Sequence, residues 1–324
     1  MQELNLAEVS VIALAPQPGL RRTLRDLMLS VGLVNFHDFE TLDRLRAALG
    51  EQTPDLIMLA LDYERDPVCE LIRDIRRARI AQNPYLVILT LTWNADHLTV
   101  NEAIVAGADD IITMPLSIGM LRDRIVNMIE NRKEFVVTAT YVGPDRRPSS
   151  RQVFGAEAGT TPVPNSLRYK ATGDESAAAM PEAIRGTERR LAQQRIHQLA
   201  KRLSHLASDM KEHALHYPAN PVRPESADEL DGLLAQISVH AVFTNAVHLP
   251  DLAASMERMA AEIRQSYHLD TRVFELLELH GLAIRAALKE GGGGDAARLT
   301  TRALNEAAQF FAPGDRPHPL ARRA

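Results

Sequence analysis

The chain has 324 residues, enough for two domains that each have a hydrophobic core. It is 45% hydrophobic and 24% charged, which is ordinary for a globular protein. The net charge of -5 indicates neither a nucleic-acid nor a membrane partner, and a single cysteine, Cys69, excludes an internal disulfide framework. Because no stretch is apolar enough for a membrane span or a signal peptide, we expect a cytoplasmic protein.

The first domain, predicted over residues 1–135, alternates apolar runs with segments of helical periodicity. Its most informative run, Leu56 to Leu61, follows the turn signal Thr53-Pro54-Asp55 and has no polar alternation. Such a run is typical of a strand covered on both faces. Five strands alternating with five helices predict a doubly wound, five-stranded parallel α/β domain. The strands are predicted at Val9–Pro16, Val34–Phe39, 56–61, Leu86–Leu91 and Asp110–Met114.

Short motifs narrow this fold class. Pro54-Asp55-Leu56-Ile57 opens the third strand, and Gly107-Ala108-Asp109-Asp110 leads into the fifth, which ends at Met114-Pro115. Thr92 follows the fourth strand. Over residues 8–134 the sequence resembles the CheY-like receiver domain of bacterial response regulators, and this resemblance implies the flavodoxin-like fold.

The resemblance also implies a phosphorylation site, but this chain has other residues there. Receivers hold a magnesium ion with two adjacent acids after the first strand, where this chain has Ala15 and Pro16. The phosphoaccepting aspartate corresponds to Ala60. Phosphoryl transfer to a carboxylate needs a nucleophilic oxygen and a divalent cation, and a magnesium ion needs oxygen ligands. We therefore expect a degenerate pseudo-receiver with no enzymatic activity, no cofactor and no metal site.

The remaining receiver positions are mostly replaced as well. The phosphate-contacting lysine corresponds to Met114 and the aromatic switch residue to Ile111, whereas the hydroxyl position is kept as Thr92. Pro115 completes a step that is typically cis in the family. Asp62, two positions beyond Ala60, stays open as a shifted phosphoacceptor.

Two sets of arginines are candidate partner-binding residues. Receivers meet partners through the fourth helix, fifth strand and fifth helix, which here span about 96–130 and include Arg122 and Arg124. The other pair, Arg146 and Arg147, lies in a segment that could bind a partner or a phosphate group. That segment, 136–186, is rich in Gly, Ala, Thr and Pro, which predicts a flexible linker.

Residues 187–312 are predicted to form an all-helical domain that Thr187 caps, with a disordered tail over 313–324. An apolar seam at coiled-coil spacing is too short to be stable alone, so we predict a homodimer through 187–311, with a self-closed bundle as the alternative. His280 stays open as a phosphorelay residue because histidine phosphotransfer modules carry their histidine on a bundle helix. The seam consists of Ile196, Leu199, Leu203, Leu206 and Met210.

These features predict a response-regulator-like protein of a bacterial two-component or phosphorelay pathway that acts by protein–protein interaction. Its expected partners are a histidine kinase or a downstream regulator. We expect no nucleic-acid partner, since the helical half has no basic recognition helix, and no membrane partner. Two alternatives are an active phosphorelay member that uses Asp62 or His280 and a scaffold protein with no signalling input.

Overall fold

The computed structural model describes residues 4–138, 141–147, 159–244, 246–265, 269–288 and 293–312. These residues divide into two compact units, Met1–Leu191 and Ala192–Ala324. Each unit has a hydrophobic core of its own.

The first unit is built on the predicted parallel sheet. Its strands pair in the order β2-β1-β3-β4-β5. The residues of β3 and β4 are all buried because helices cover both faces of the sheet, which explains their uninterrupted apolar character. The predicted fold class is confirmed. The strands are β1 Ser10–Leu14, β2 Asn35–Phe39, β3 Leu56–Ala60, β4 Val87–Thr92 and β5 Asp110–Thr113.

Five helices cover this sheet. The apolar sides of α1 and α5 share one core cluster, and those of α2, α3 and α4 share the cluster on the other face. Gly32 and Gly107 end α1 and α4 in the left-handed region, with φ of 98° and 107°, which glycine adopts without a steric cost. The helices are α1 Pro18–Val31, α2 Leu42–Glu51, α3 Arg65–Arg76, α4 His97–Ala106 and α5 Ile118–Glu130.

The predicted flexible linker over 136–186 is wrong where the structure describes it. Strands β6 (Phe135–Val137) and β7 (Val142–Pro144) form an antiparallel hairpin, and helix α6 (Ser166–Thr172) packs against α5. Leu167 on α6 is fully buried in the core cluster of α1 and α5. A few well-placed apolar residues therefore order a segment whose overall composition predicts disorder. Residues 139, 140 and 148–158 lie outside the described residues.

The predicted all-helical region is confirmed, but its boundaries differ. Helix α7 begins at Pro181, in the first unit, rather than at Thr187. Thr187 does not cap it, because its hydroxyl lies inside the helix and donates to the Ala183 carbonyl at 2.8 Å. None of the described helices has the length and apolar character needed to cross a membrane. The predicted tail, 313–324, lies outside the described residues. The helices are α7 Pro181–His216, α8 Pro224–Ala241, α9 Leu249–Gln265, α10 Arg272–Ala287 and α11 Gly293–Phe310.

The apolar seam on α7 forms the core of the second unit. Its residues are at most 4% exposed and pack with the apolar sides of α8, α9 and α10 within one chain. The expectation that the seam is a self-association surface is therefore corrected, because later helices of the same chain cover it. A dimer would have to use other residues. The covered seam residues are Ile196, Leu199, Leu203, Leu206 and Met210.

Candidate functional site

The carboxyl ends of β1, β3 and β4 meet where a receiver carries its phosphorylation site. Ala60 ends β3, is 2% exposed and presents a methyl group at the position of the phosphoacceptor. Ala15, just after β1, is fully buried and packs in the same core cluster as Ala60. The centre of the site is therefore apolar and offers no nucleophilic oxygen from these two side chains.

An arginine occupies the edge of the site where receivers hold their magnesium ion. Arg21, in the first turn of α1, points Nη1 at the carbonyl oxygens of Ala15 and Pro16, at 2.9 and 2.7 Å. Its Nε lies 3.5 Å from Asp38 Oδ1 at the end of β2, and Asp38 also bonds to Arg25. A magnesium ion does not fit this arrangement. It binds through oxygen ligands, and the two carbonyl oxygens already accept from a cation.

Thr92, the hydroxyl position of the receiver, contacts the candidate acceptor Asp62. The Thr92 hydroxyl lies 2.7 Å from Asp62 Oδ1 and 2.9 Å from the Asn94 carbonyl oxygen. The backbone N–H of Trp93 donates to Asp62 Oδ2 at 2.9 Å. Asp62 is exposed and lines an open cleft of about 680 Å³ between the β3–α3 loop and the start of α4. The structure thus brings Asp62 and Thr92 together.

The side chains at the other receiver positions carry no charge. Met114, at the end of β5, packs against the core cluster of α1 and α5. The Met114–Pro115 peptide bond is cis, as the resemblance implies. Ile111 is half-buried and packs against the cluster on the opposite face of the sheet. No ammonium group therefore comes from position 114 and no aromatic ring from position 111.

The surface of α4, β5 and α5 carries more exposed apolar residues than the sequence indicated. Of the two predicted arginines on it, Arg122 is exposed and Arg124 forms an ion pair with Asp110 at 2.9 Å. Helical periodicity assigns large apolar residues to the core, so the sequence did not indicate the exposed ones. Those at least 40% exposed are Leu98 and Val105 on α4, and Ile118 and Met120 on α5.

Arg146 and Arg147 bind within the chain, which corrects their prediction as partner- or phosphate-binding residues. Arg146 Nη2 donates to the carbonyls of Ala108 and Asp109 at 2.7 and 2.6 Å. Arg147 Nε forms an ion pair with Asp145 at 2.9 Å. Arg146 therefore fastens the segment after β7 to the residues just before β5, whereas Arg147 pairs with a carboxylate two residues away.

The sequence did not indicate a buried ionic network that lies at the opposite, amino-terminal edge of the sheet. Asp109 accepts from Arg76 at 2.6 Å, from Arg132 at 2.8 Å and from the Ile88 backbone N–H at 2.8 Å. Burial opposes ionisation of Asp109, but the guanidinium groups of Arg132 and Arg76 outweigh it and hold its pKa below the ordinary value. Burial lowers the pKa of Arg76 to about 10. The ring of Phe135 lies 5.1 Å from the Arg76 guanidinium carbon and 5.3 Å from that of Arg132.

His280, the second phosphorelay candidate, is fully buried on α10. Its Nδ1 lies 2.7 Å from the Leu276 carbonyl oxygen, and its Nε2 lies 2.9 Å from Ser255 Oγ. Burial lowers the pKa of His280 to about 4. Both ring nitrogens are engaged inside the bundle core, so neither is presented to a phosphodonor. Within the described ranges, no group of His, Cys, Asp or Glu side chains could hold a metal ion.

Comparison with known proteins finds similarity to response regulators over part of the chain. The KDP operon transcriptional regulatory protein KdpE of Escherichia coli is 31% identical over 116 residues, 36% of this chain and 49% of KdpE. The chain thus matches about half the length of this curated relative. No family model matches the chain.

Two bacterial proteins are among the solved structures that align with part of the chain. The response regulator DrrB of Thermotoga maritima aligns with 16% identity over 56% of this chain and 87% of DrrB, at a TM-score of 0.35. A pilus assembly-related protein of Burkholderia pseudomallei aligns with 17% identity over 38% of this chain and 90% of its own, at a TM-score of 0.33. The strand order and the match to KdpE together identify the first unit as a receiver domain.

Proposed function

We propose that this chain is a signalling protein of the two-component type whose receiver domain binds its partners without being phosphorylated. The observation that carries the proposal is a complete receiver sheet in which the phosphoacceptor position, Ala60, is a buried methyl group. Phosphoryl transfer to a protein needs a nucleophilic oxygen and cations that offset the phosphate charge. Ala60 and Met114 supply neither.

Such a receiver would present its binding surface constantly. A phosphoryl group shifts a receiver between states because it adds charge that binds one state better than the other. Without the acceptor, the phosphate-contacting lysine and the aromatic switch residue, that shift has no chemical cause. We therefore propose that the state of this domain is set by which partner is present, not by phosphorylation.

The surface of α4, β5 and α5 is the binding surface we propose. Exposed apolar side chains grouped on one side of a domain mark protein interfaces, whose centres are more apolar than the surrounding surface. Leu98 and Val105 lie seven positions apart on α4 and therefore share one helix face. The proposed partner is a histidine kinase or a downstream regulator, and the chain has no enzymatic activity of its own.

The test compares two single substitutions in the full-length chain. Val105→Asp places a charge on the proposed surface. Leu29→Asp places one on α1 and is the matched control, because the two side chains are similarly exposed, Leu29 at 53% and Val105 at 48%. Binding to a panel of purified histidine kinases and regulators from the same bacterium is measured by biolayer interferometry. We expect Val105→Asp to weaken binding by about tenfold or more, because a charge in an interface centre is desolvated, and Leu29→Asp to leave it unchanged. Equal effects would contradict the choice of surface. Binding to no member of the panel would favour the scaffold function.

Asp62 supports a second candidate function, that of an active phosphorelay member. The supporting observation is the 2.7 Å contact between its carboxylate and the Thr92 hydroxyl. Against it, both carboxylate oxygens accept hydrogen bonds, and the magnesium ligands that would assist attack are missing. Incubation with acetyl phosphate and magnesium, followed by intact mass measurement of the chain and of Asp62→Asn, distinguishes the two functions. A phosphoryl adduct that Asp62→Asn abolishes would favour the phosphorelay member.

A further inference from the structure

We infer that Arg21 takes the place of the divalent cation: it supplies a permanent positive charge that organises the end of β1, and it keeps metal ions out of the site. The inference deepens the proposed function and concerns the same site. Metal affinity and local hydrogen exchange test the inference, whereas partner binding tests the proposed function. Either one can therefore fail while the other holds.

The first step is geometric. The side chain of Arg21 is 20% exposed, and its guanidinium bonds to the carbonyl oxygens of Ala15 and Pro16, the two residues at the positions of the metal-binding acids. These carbonyls follow β1, where the strand ladder ends. A planar guanidinium has several donors in a fixed arrangement, so one side chain can bind both carbonyls and still face an acid.

The second step concerns charge. Asp38 lies 3.5 Å from Arg21 Nε and Glu40 lies 3.9 Å from its Nη2, so two carboxylates offset the guanidinium charge. Arg25 also bonds to Asp38, and Arg44 lies 3.3 Å from Glu40. Three arginines therefore face two carboxylates, so the cluster carries positive charge without any bound ion. A divalent cation placed on the same carbonyl oxygens would lie within contact distance of a guanidinium, and the repulsion between them would weaken its binding.

The third step separates this role from that of an ordinary surface ion pair. Exposed ion pairs between side chains contribute little to stability. Arg21 differs because its shortest contacts are with backbone oxygens at a strand end. Arg22, the next residue on α1, is exposed and carries the same charge, so it is the matched control.

The first experiment restores the receiver acids in the full-length chain and measures magnesium binding. The parent variant carries Ala15→Asp, Pro16→Asp and Ala60→Asp. Two derivatives add Arg21→Gln or Arg22→Gln. Trp93 is the single tryptophan of the chain and follows Thr92 at the site, so its fluorescence reports binding during a magnesium titration. We expect Arg21→Gln to tighten magnesium binding by about tenfold or more over the parent, and Arg22→Gln to change it by less than about threefold.

Three results would overturn the inference. The parent variant could bind magnesium as tightly as the Arg21→Gln derivative. Both could fail to bind magnesium while remaining folded, which circular dichroism would establish. Arg22→Gln could tighten binding as much as Arg21→Gln, and the effect would then be one of overall charge.

A second measurement does not depend on the folding of the restored variants. Arg21→Gln and Arg22→Gln are made in the natural sequence, and backbone hydrogen exchange is followed by mass spectrometry. The Ala15 backbone N–H bonds to the Phe39 carbonyl at 3.0 Å, so it reports the order of the β1 end. We expect Arg21→Gln to speed exchange in the peptide that contains Ala15, about tenfold, and Arg22→Gln to leave it unchanged. Unchanged exchange in Arg21→Gln would overturn the organising role.

Discussion

Replacing Asp109 with alanine is expected to unfold the receiver domain or leave it barely stable. Asp109 is 1% exposed at its side chain and is bonded to two guanidinium groups, of which Arg76 is fully buried and Arg132 is 5% exposed. Removing one partner of a buried ion pair costs about 3–5 kcal/mol because the remaining charge is left in a medium that cannot solvate it. Loss of the bond from the Ile88 N–H adds about 1 kcal/mol. The sum, about 4–6 kcal/mol, equals the lower end of the range of about 5–15 kcal/mol that native proteins have for the free energy of unfolding.

The neighbouring aspartate gives the control. Asp110→Ala removes the same group one residue later, but its ion pair is with Arg124, whose side chain is 46% exposed, so we expect a loss of about 1 kcal/mol or less. The assay is urea unfolding of the full-length chain followed by the fluorescence of Trp93, which lies in the first unit and therefore reports that unit alone. If Asp109→Ala loses no more stability than Asp110→Ala, the buried network does not hold the receiver together as we argue.

Three further predictions concern the bundle and the binding surface. Burial lowers the pKa of His280 from 6.5 to about 4, so between these pH values the unfolded chain binds a proton at His280 and the folded chain does not. The contribution of His280 to the free energy of unfolding should be complete above about pH 6.5 and fall by about 3 kcal/mol towards pH 4. His280→Gln should reduce this fall in urea titrations followed by circular dichroism. Gly281→Ala should lower the melting temperature of the bundle, because a Cβ there would lie 2.5 Å from Ser204 Oγ and 3.1 Å from the Ala200 carbonyl oxygen. An unchanged melting temperature would show that α7 and α10 can move apart to admit the methyl group at no cost in stability. Arg122→Glu should weaken partner binding more than Arg124→Glu, measured by interferometry, since Arg124 is already paired with Asp110; the reverse order would contradict this assignment.

The strands and helices of the first unit were predictable because their signals are local. A continuous apolar run such as Leu56 to Leu61 reports burial on both faces, and Gly32 and Gly107 report left-handed helix ends. The lack of a nucleophilic oxygen at position 60 is likewise read from the residue itself, since an alanine side chain has none wherever it lies. Both inferences use the identity of a residue and its immediate neighbours alone.

The features that the sequence did not predict depend on contacts between distant residues. Arg76 and Arg132 look like surface arginines until the fold brings them to Asp109. The segment after α5 is too polar overall to predict an ordered structure, yet two of its residues, Phe135 and Leu167, are fully buried in the first unit. The seam on α7 has the spacing of a self-associating helix, and the sequence alone does not specify whether the same chain or a second copy covers it.

The role of Arg21 shows the same limit at the functional site. The sequence indicated that the metal-binding acids are absent, but not that a cation of the chain itself takes their place. Arg21 lies seven positions before the buried Met28 and therefore on the same side of α1, but helical periodicity does not specify what its guanidinium contacts. The long side chain reaches back along the first turn to the end of β1, a path that periodicity does not reveal.

The most direct test of the central claim measures partner affinity with and without a phosphodonor. The full-length chain is incubated with acetyl phosphate and magnesium, and its binding to the partner identified on the kinase and regulator panel is compared with that of the untreated chain. We predict equal affinities, within about twofold, because Ala60 cannot accept a phosphoryl group and the proposed binding surface needs none. An affinity that changes about tenfold or more on treatment, and that no longer changes in Asp62→Asn, would contradict the account.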